Sequence, residues 1–495
     1  MEYVIDAKTS KKNDQYTILN FTPSLELMER AGDGIASFII KNYSNLKRVL
    51  IICGGGGNGG DGYVVGRKLL SKYDVTILDV ASNYSKDCLT NKNKYQGKLI
   101  KEFDDSLSYD LVIDAIFGVG LNKNIEGKLF ELINKINNFP SFKISVDINS
   151  GLDASNGLIL GISFISDITI TIQDYKMGLF LNDGRDQYKE LIKLDIGIAS
   201  FDEYRSASFI YSSNDFKDLF LKRKSHTNKG SYGKVCVIGG SKEFLGAPLL
   251  SIISLTPLLE GCGYSCLAFP SSLYLLYALK NLENIYFPLS AMNGEVIFKE
   301  EEISKLLGYD AIAIGMGCGT SIEIYKIITY LLKNYKNKLL IDADGLNSLA
   351  TFGVDVLLDH SCEVILTPHI KEFSRLSSID METLKTDYIK YATEFSTKYN
   401  LYLVLKNNTT ITTYLSKVSL NINGTPALAK GGSGDCLSGI ILGLLTKKKD
   451  TFLEVSCGSY ILGRCSELAS KTINENSLLA SDINKFIPSV LDEFK

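Results

Sequence analysis

Short apolar runs rich in Val and Ile alternate along the chain with stretches in which apolar residues return every third or fourth position. The first periodic stretch predicts an opening helix: Thr22 stands as its cap, Pro23 suits the first turn, and Leu25, Met28, Ala31, Ile35 and Phe38 share one face. RVLIICG (48–54), DVTILDV (74–80), DLVIDAIFG (110–118), FKISVDI (142–148) and SDITITI (166–172) then read as buried parallel strands, each ending in Gly, Asp or Ser. A polar and basic seam, 221–233, breaks the rhythm. It resumes in KVCVIGGS (234–241), YDAIAIGMG (309–317), KLLIDADGLN (338–347), CEVILTPH (362–369) and LYLVLKN (401–407). Strands separated by helices imply right-handed crossovers and a sheet covered on both faces, with function at the C-terminal strand ends. The pattern predicts two tandem three-layer α/β domains, 1–211 and 212–495.

Composition narrows the class. The 53 Lys and Arg against 56 Asp and Glu give a net charge of -3. That balance leaves no basic face for nucleic acid or an anionic membrane. No apolar run approaches the ~18 residues of a membrane helix; the longest candidate, from Ala247 to Leu259, is interrupted by Ser251, Ser254, Thr256 and Pro257. Glu2 and Asp6 in an N-terminus without an apolar stretch argue against a secretory signal, so a cytoplasmic protein is expected. The 10 cysteines are scattered, as reduced buried thiols are, and 3 histidines leave little for a His-based zinc site. The 42 glycines against 9 prolines point to tight turns and close backbone approach to ligands.

CGGGGNGGDG (53–62) joins a strand to a helix expected from VVGRKLL onward, an arrangement suited to phosphates at a helix N-terminus. Later strand ends add Asp114 before Gly118 and Gly120, then Asp147 and Ser150, then Lys176. Asn58, Asp114 and Ser150 offer hard oxygens for a cation, and Lys176 and Asp147 a pair able to exchange protons with a substrate. MERAG (28–32), NGGDG (58–62), DAIFGVGL, VDINSGLD and YKMG, in that order, resemble the NAD(P)H-hydrate epimerase domain, also called the YjeF N-terminal domain. The resemblance implies a Rossmann-like fold and binding of the hydrated cofactor at Gly57, Asn58, Gly59, Gly60, Asp61, Gly118, Gly120 and Asp147. It also implies potassium at Asn58, Asp114 and Ser150, and Lys176 with Asp147 as the acid–base couple. Two positions depart from the family's habit: Gly57 stands where Asn is usual, and Asn149 where Pro is usual. The first removes a possible ligand contact and the second frees a backbone dihedral.

In the second half, AKGGSGD (429–435) opens a helix expected from about Asp435, whose N–H groups face outward as an anion hole. Asp435 at that mouth is placed to take a proton from a hydroxyl, with Ser433 available as cap. His369 follows Thr-Pro at a strand end, where ligand contact is expected. Asp342, Asp344 and Asn347 suit magnesium or a nucleotide, and Lys406 begins a polar turn fit for an adenine nucleotide. KGSYGKVCVIGGS, FLGAP, IGMG, DADGLN, LTPH and KGGSGD as an ordered set are similar to the ADP/ATP-dependent NAD(P)H-hydrate dehydratase domain, a ribokinase-like fold. This implies hydrated cofactor at Ala247, Gly317, His369 and Asp435, and nucleotide at Lys406, Asn407, Asn408, Thr409, Thr410 and Gly434. Asn407 replaces a usual Gly, and altered turn geometry is expected there.

Taken together the resemblances imply a bifunctional lyase and isomerase. It would interconvert R and S hydrates and dehydrate the S hydrate with ADP as co-substrate, using Mg2+ and K+, as a homo-oligomer. The alternative weighed is a ribokinase-like kinase for a hydroxymethyl-pyrimidine or sugar, with a non-catalytic ligand-binding N-terminal domain.

Overall fold

The computed structural model describes residues 1–201, 208–220, 225–229, 232–255, 262–280, 282–447 and 449–495. Residues 221–224, 230 and 231 of the basic seam and the end of the apolar stretch at 247–259 lie outside the described residues. The chain forms two compact units, Glu2–Ser208 and Phe209–Lys495, Met1 counting with the second.

The first unit holds β1 (Glu2–Ile5), β2 (Arg48–Cys53), β3 (Asp74–Asp79), β4 (Lys98–Ile100), β5 (Leu111–Ala115), β6 (Phe142–Val146), β7 (Ser166–Ile172), β8 (Tyr175–Lys176) and β9 (Tyr188–Leu194). Its parallel sheet runs β4-β3-β2-β5-β6-β7-β9. The order reverses between β2 and β5, so their C-terminal ends flank a crevice. Val49, Ile51, Ile113, Ile144 and Ile170 fill one face of the sheet and Leu50, Ile52 and Val112 the other.

The expected opening helix exists as Ser24–Asn42, with Leu27, Met28, Ala31, Ile35 and Ile39 buried. It is not the first element, because β1 and a helix at Ala7–Asn20 precede it. Nor does Thr22 cap it: Pro23 occupies the cap position and no side chain bonds the free N–H groups. The helix after the glycine run begins at Gly57, inside the run and ahead of the expected start.

The second unit holds β10 (Ser208–Ile210), β11 (Gly233–Ile238), β12 (Cys262–Pro270), β13 (Ile285–Leu289), the hairpin β14 (Ala291–Met292) and β15 (Glu295–Val296), β16 (Ala311–Ile314), β17 (Lys338–Ile341), β18 (Glu363–Leu366), β19 (Tyr402–Leu405), β20 (Thr410–Tyr414) and β21 (Lys417–Asn421). The order β13-β12-β11-β16-β17-β18-β19 is parallel. β20 and β21 then continue antiparallel, as a hairpin needs no crossover. Here the switch lies between β11 and β16. The helices Ser433–Leu444 and Thr451–Ser470 pack on the sheet with nearly every side chain buried, which explains an apolar pattern all round them. All ten cysteines are free and buried, and no described helix is long and apolar enough to cross a membrane.

Candidate functional site

Each unit carries a candidate site at the C-terminal edge of its sheet. In the first, β2 ends in the glycine run, and most of its glycines answer to packing. A Cβ on Gly54 would collide with the Ile116 carbonyl, and one on Gly59 with the Gly54 carbonyl. Gly60 packs against Met28. Gly56 and Gly57 alone in the run would direct a Cβ into open space. Both line a cavity of about 770 Å³ together with Asn58, Asp61, Gly118, Gly120, Asp147 and Lys176. Gly59 and Gly60, expected beside the ligand, lie inside the helix and do not line this cavity.

Beneath the cavity floor Asp114 is fully buried at the end of β5. Its Oδ1 accepts from Ser150 Oγ at 2.6 Å, and its Oδ2 from Ser150 N at 2.8 Å and Ser145 Oγ at 3.1 Å. Asn58 Nδ2 donates to the Phe117 carbonyl at 2.9 Å, and Phe117 N donates to Ser150 Oγ at 2.9 Å. Asn58 and Ser150 thus meet at Phe117 and Asp114 meets Ser150, with Asn58 Oδ1 and the Phe117 carbonyl as further oxygens. Burial pushes Asp114 up to about 6, against the hydrogen bonds that hold it down. Ile116 N also donates to Oδ1 at 3.2 Å, so both oxygens of this buried carboxyl are met by neutral protein donors.

Asp147 follows β6 in a left-handed conformation, φ 65. Its Oδ1 pairs with Lys176 Nζ and accepts from Ile172 N at 2.9 Å. Lys176 also donates to Thr171 Oγ1 at 3.2 Å and to the Ile172 carbonyl at 2.7 Å, so its three N–H bonds are all placed. Asn149 is fully buried and does what Pro could not. Its Nδ2 reaches the Phe164 and Gln187 carbonyls at 3.0 and 2.9 Å, and its Oδ1 accepts from Thr169 at 2.6 Å. This pins the loop that presents Ser150. Sequence reasoning missed Asp14, which lines the same cavity from the helix Ala7–Asn20. The start signal of that helix was present, Asp6 accepting from Thr9 N at 2.6 Å. Its buried face, however, is polar: Ser10, Asn13 and Thr17.

In the second unit the helix Ser433–Leu444 starts two residues before the expected Asp435 and its cap position is Gly432, φ 95. Ser433 makes no cap bond; its Oγ is buried with no hydrogen-bond partner among the described residues. Asp435 sits in the first turn with its carbonyl accepting from Ser251 Oγ at 2.8 Å. Burial raises the Asp435 carboxyl to about 7, with Asp342 adding to the rise and Lys406 opposing it. Lys406 Nζ lies 3.0 Å from Asp342 Oδ1 and over the bare Cα of Gly434. Burial pulls Lys406 down, but Asp342, Glu372 and Asp435 hold it above the ordinary lysine value.

Asp342 is spent on protein partners, since Ser438 Oγ donates to its Oδ2 at 2.7 Å. Asp344 Oδ2 accepts from Gly319 N at 2.9 Å, and Asn347 Oδ1 accepts from Arg375 at 2.8 Å. Between the two aspartates Ala343 holds φ 48, ψ -117, a conformation that favours glycine and marks strain at this turn. Among the described residues no cluster of acidic, His or Cys side chains forms a metal cage.

His369 caps the helix Ile370–Ser377: its Nδ1 accepts from Lys371 N and Glu372 N at 3.1 and 3.2 Å. The ring is half exposed, leaving Nε2 toward solvent and Glu372 at 3.6 Å. Burial, then Lys406 and Arg375, depress its pKa. Gly317, φ 67, stands against Ala247, so these two expected contacts are neighbours at the switch point. Thr409 is buried, while Asn407 and Asn408 are exposed. Asn407 is not among the left-handed residues, so its substitution for Gly asks for no special dihedral.

Residues 24–178 match the family model of the YjeF-related protein N-terminus, and residues 235–489 that of NAD(P)H-hydrate dehydratase. A bifunctional NAD(P)H-hydrate repair enzyme Nnr from Dictyoglomus turgidum is 31 % identical over 95 % of this chain and 94 % of its own. One from Thermofilum pendens is 30 % identical over 94 % and 91 %. Among solved structures, the Bacillus subtilis ADP/ATP-dependent NAD(P)H-hydrate dehydratase, co-crystallised with ATP and Mg2+, is 26 % identical. It covers 58 % of this chain and 99 % of its own with a TM-score of 0.49. On the match of both halves and of nearly full-length relatives, the chain belongs to the family of bifunctional NAD(P)H-hydrate repair enzymes.

Proposed function

We propose that the chain returns hydrated NADH and NADPH to the intact cofactors. Its N-terminal domain (1–211) exchanges the R and S hydrates, and its C-terminal domain (212–495) dehydrates the S hydrate with ADP as co-substrate. The observation that carries this reading is Asp435 in the first turn of a helix, its carboxyl raised to about 7 beside Lys406. A carboxyl titrating there is matched to a general base at neutral pH.

The chemistry follows from the leaving group. The hydrated ring carries a hydroxyl, and hydroxide departs poorly. Asp435 takes the hydroxyl proton as its oxygen attacks the terminal phosphorus of ADP, and AMP leaves. The helix N–H groups and Lys406 face the charge on the transferred group. Phosphate then departs with the C–O bonding pair, and loss of the proton on the neighbouring ring carbon restores the double bond. Ala247, Gly317 and His369 hold the hydrated cofactor in this reading, and Lys406 to Thr410 with Gly434 hold the nucleotide. Bound Mg2+ supplies neutralisation of the phosphates.

In the epimerase domain Gly57, Asn58, Asp61, Gly118 and Gly120 hold the hydrated cofactor, and the Lys176–Asp147 pair takes part in the proton exchange, with Asp147 as its base. Asn58, Asp114 and Ser150 would hold potassium, which would supply a positive charge beneath the bound cofactor. A homo-oligomer in the cytoplasm completes the proposal. The test is incubation with mixed NADH hydrates, ADP and Mg2+, following the near-ultraviolet absorbance of restored NADH. Phosphorylation of an alcohol with no return of NADH would favour the kinase reading, which the family membership disfavours.

A further inference from the structure

Epimerisation at a carbon bearing a hydroxyl needs one proton delivered and one removed. In a hydrated nicotinamide the hydroxyl carbon adjoins the ring nitrogen. The C–O bond therefore breaks with its pair going to oxygen, the nitrogen lone pair closes a C=N bond, and the oxygen leaves as water once protonated. Water then adds to the other face, the C=N pair returns to nitrogen, and the new oxygen gives up a proton.

Lys176 and Asp147 do not furnish both groups. Lys176 is 2 % exposed and places its three N–H bonds on Asp147, Thr171 and the Ile172 carbonyl. Asp147 keeps Oδ2 free of donors among the described residues. The pair thus offers an acceptor but no spare proton.

We propose that Asp14, on the helix Ala7–Asn20, is the second proton-transferring group of this cavity: its carboxyl protonates the departing hydroxyl, and Asp147 takes the proton of the incoming water. The proposal rests on the epimerase reading above. Asp14 lines the cavity with Asp147 and Lys176, and no described residue hydrogen-bonds its carboxyl. Its position is fixed by its neighbours. Phe201 N donates to Asn13 Oδ1 at 2.9 Å, Ala199 N to Thr17 Oγ1 at 2.8 Å, and Ala7 N to Ser155 Oγ at 3.1 Å. These bonds tie down a helix whose own apolar packing is slight.

Burial, then the charge of Asp147, raises Asp14 to about 6, with Lys176 opposing and Asp174 adding. Asp61 also faces the cavity, and burial pushes its carboxyl well above the carboxylate range. After one turnover Asp14 has lost a proton and Asp147 has gained one; epimerisation in the reverse sense, or exchange with water, restores both.

The test uses the full chain with mixed hydrates, ADP and Mg2+. A fast phase reports dehydration of the S hydrate and a slow phase reports supply of S from R, with Lys176→Met giving the baseline. Asp14→Asn is expected to cut the slow phase by about 10²–10⁴-fold toward that baseline. The fast phase in the same chain stays intact and serves as the folding control, and Asp14→Glu recovers part of the rate. The wild-type slow phase should fall as pH rises through about 6, a limb absent in Asp14→Asn. A slow phase unchanged by Asp14→Asn, or one lost to Asp61→Asn alone, overturns the assignment. A wild-type slow phase equal to the Lys176→Met baseline overturns the epimerase reading itself.

Discussion

Lys406 Nζ stands 3.0 Å from Asp342 Oδ1, and this ion pair bridges β17 and β19 across β18, directly over the first turn of the Asp435 helix. Asp342 is almost fully buried and Lys406 largely so. Removing one partner strands the other charge, a loss of about 3 kcal/mol at the low end for buried pairs. Asp342→Asn is therefore expected to lower Tm by several degrees and, if Lys406 meets the nucleotide as proposed, to raise the KM for ADP, because Lys406 loses the partner that holds its Nζ in place. Thermal melts and nucleotide titrations check both.

Asp435 carries a pH signature in two measurements. As a base it must be ionised, so kcat of dehydration should rise with pH through about 7 and then level off. Stability runs the other way. The unfolded carboxyl ionises near 3.8 and the folded one near 7, so the folded state is most favoured below the lower value and loses ground up to the higher one. Asp435→Asn is thus expected to abolish dehydration while melting higher than wild type at pH 8. That gain should vanish near pH 4.

Asn149 and Gly57 separate two kinds of family departure. Asn149 donates to the Phe164 and Gln187 carbonyls in the interior, so Asn149→Ala removes both bonds and leaves Phe164 only the Ser163 hydroxyl at 3.3 Å, a loss of about 1–3 kcal/mol in all. Melting temperature and the epimerase slow phase should fall together, since the same loop holds Ser150 against Asp114. Gly57→Asn, restoring the family's usual residue, meets open space and should leave Tm unchanged while tightening KM for the hydrate. Gly59→Ala, two residues away, collides with the Gly54 carbonyl and should destabilise the domain.

The contrast shows what the sequence could and could not disclose. Strands such as Arg48–Cys53 and Ala311–Ile314 are buried on both faces, so their apolar runs are continuous and announce themselves. The helix Ala7–Asn20 is silent by the same test, because Ser10, Asn13 and Thr17 make its buried face through hydrogen bonds. The strand Tyr188–Leu194 at the sheet edge is half exposed and alternates too weakly to read. Motif residues at strand ends were legible because a crevice needs them there. Asp14 and Ser438 were not, as each reaches its site only through packing distant in sequence.

His369 caps a helix through one ring nitrogen and turns the other toward solvent, and a substitution can divide the two. Its Nδ1 accepts from two N–H groups at the start of the helix Ile370–Ser377, so that nitrogen carries no proton and Nε2 is the N–H donor of a neutral imidazole. Burial and the nearby Lys406 and Arg375 keep the ring neutral at physiological pH. An Asn at this position caps a helix as well as His does, whereas Ala costs about 1 kcal/mol. His369→Asn is therefore expected to preserve Tm and to raise the KM for the S hydrate, through loss of the Nε2–H contact alone. His369→Ala should lower Tm and raise KM together. Equal KM values for His369→Asn and wild type would confine His369 to its capping role and remove it from the binding surface.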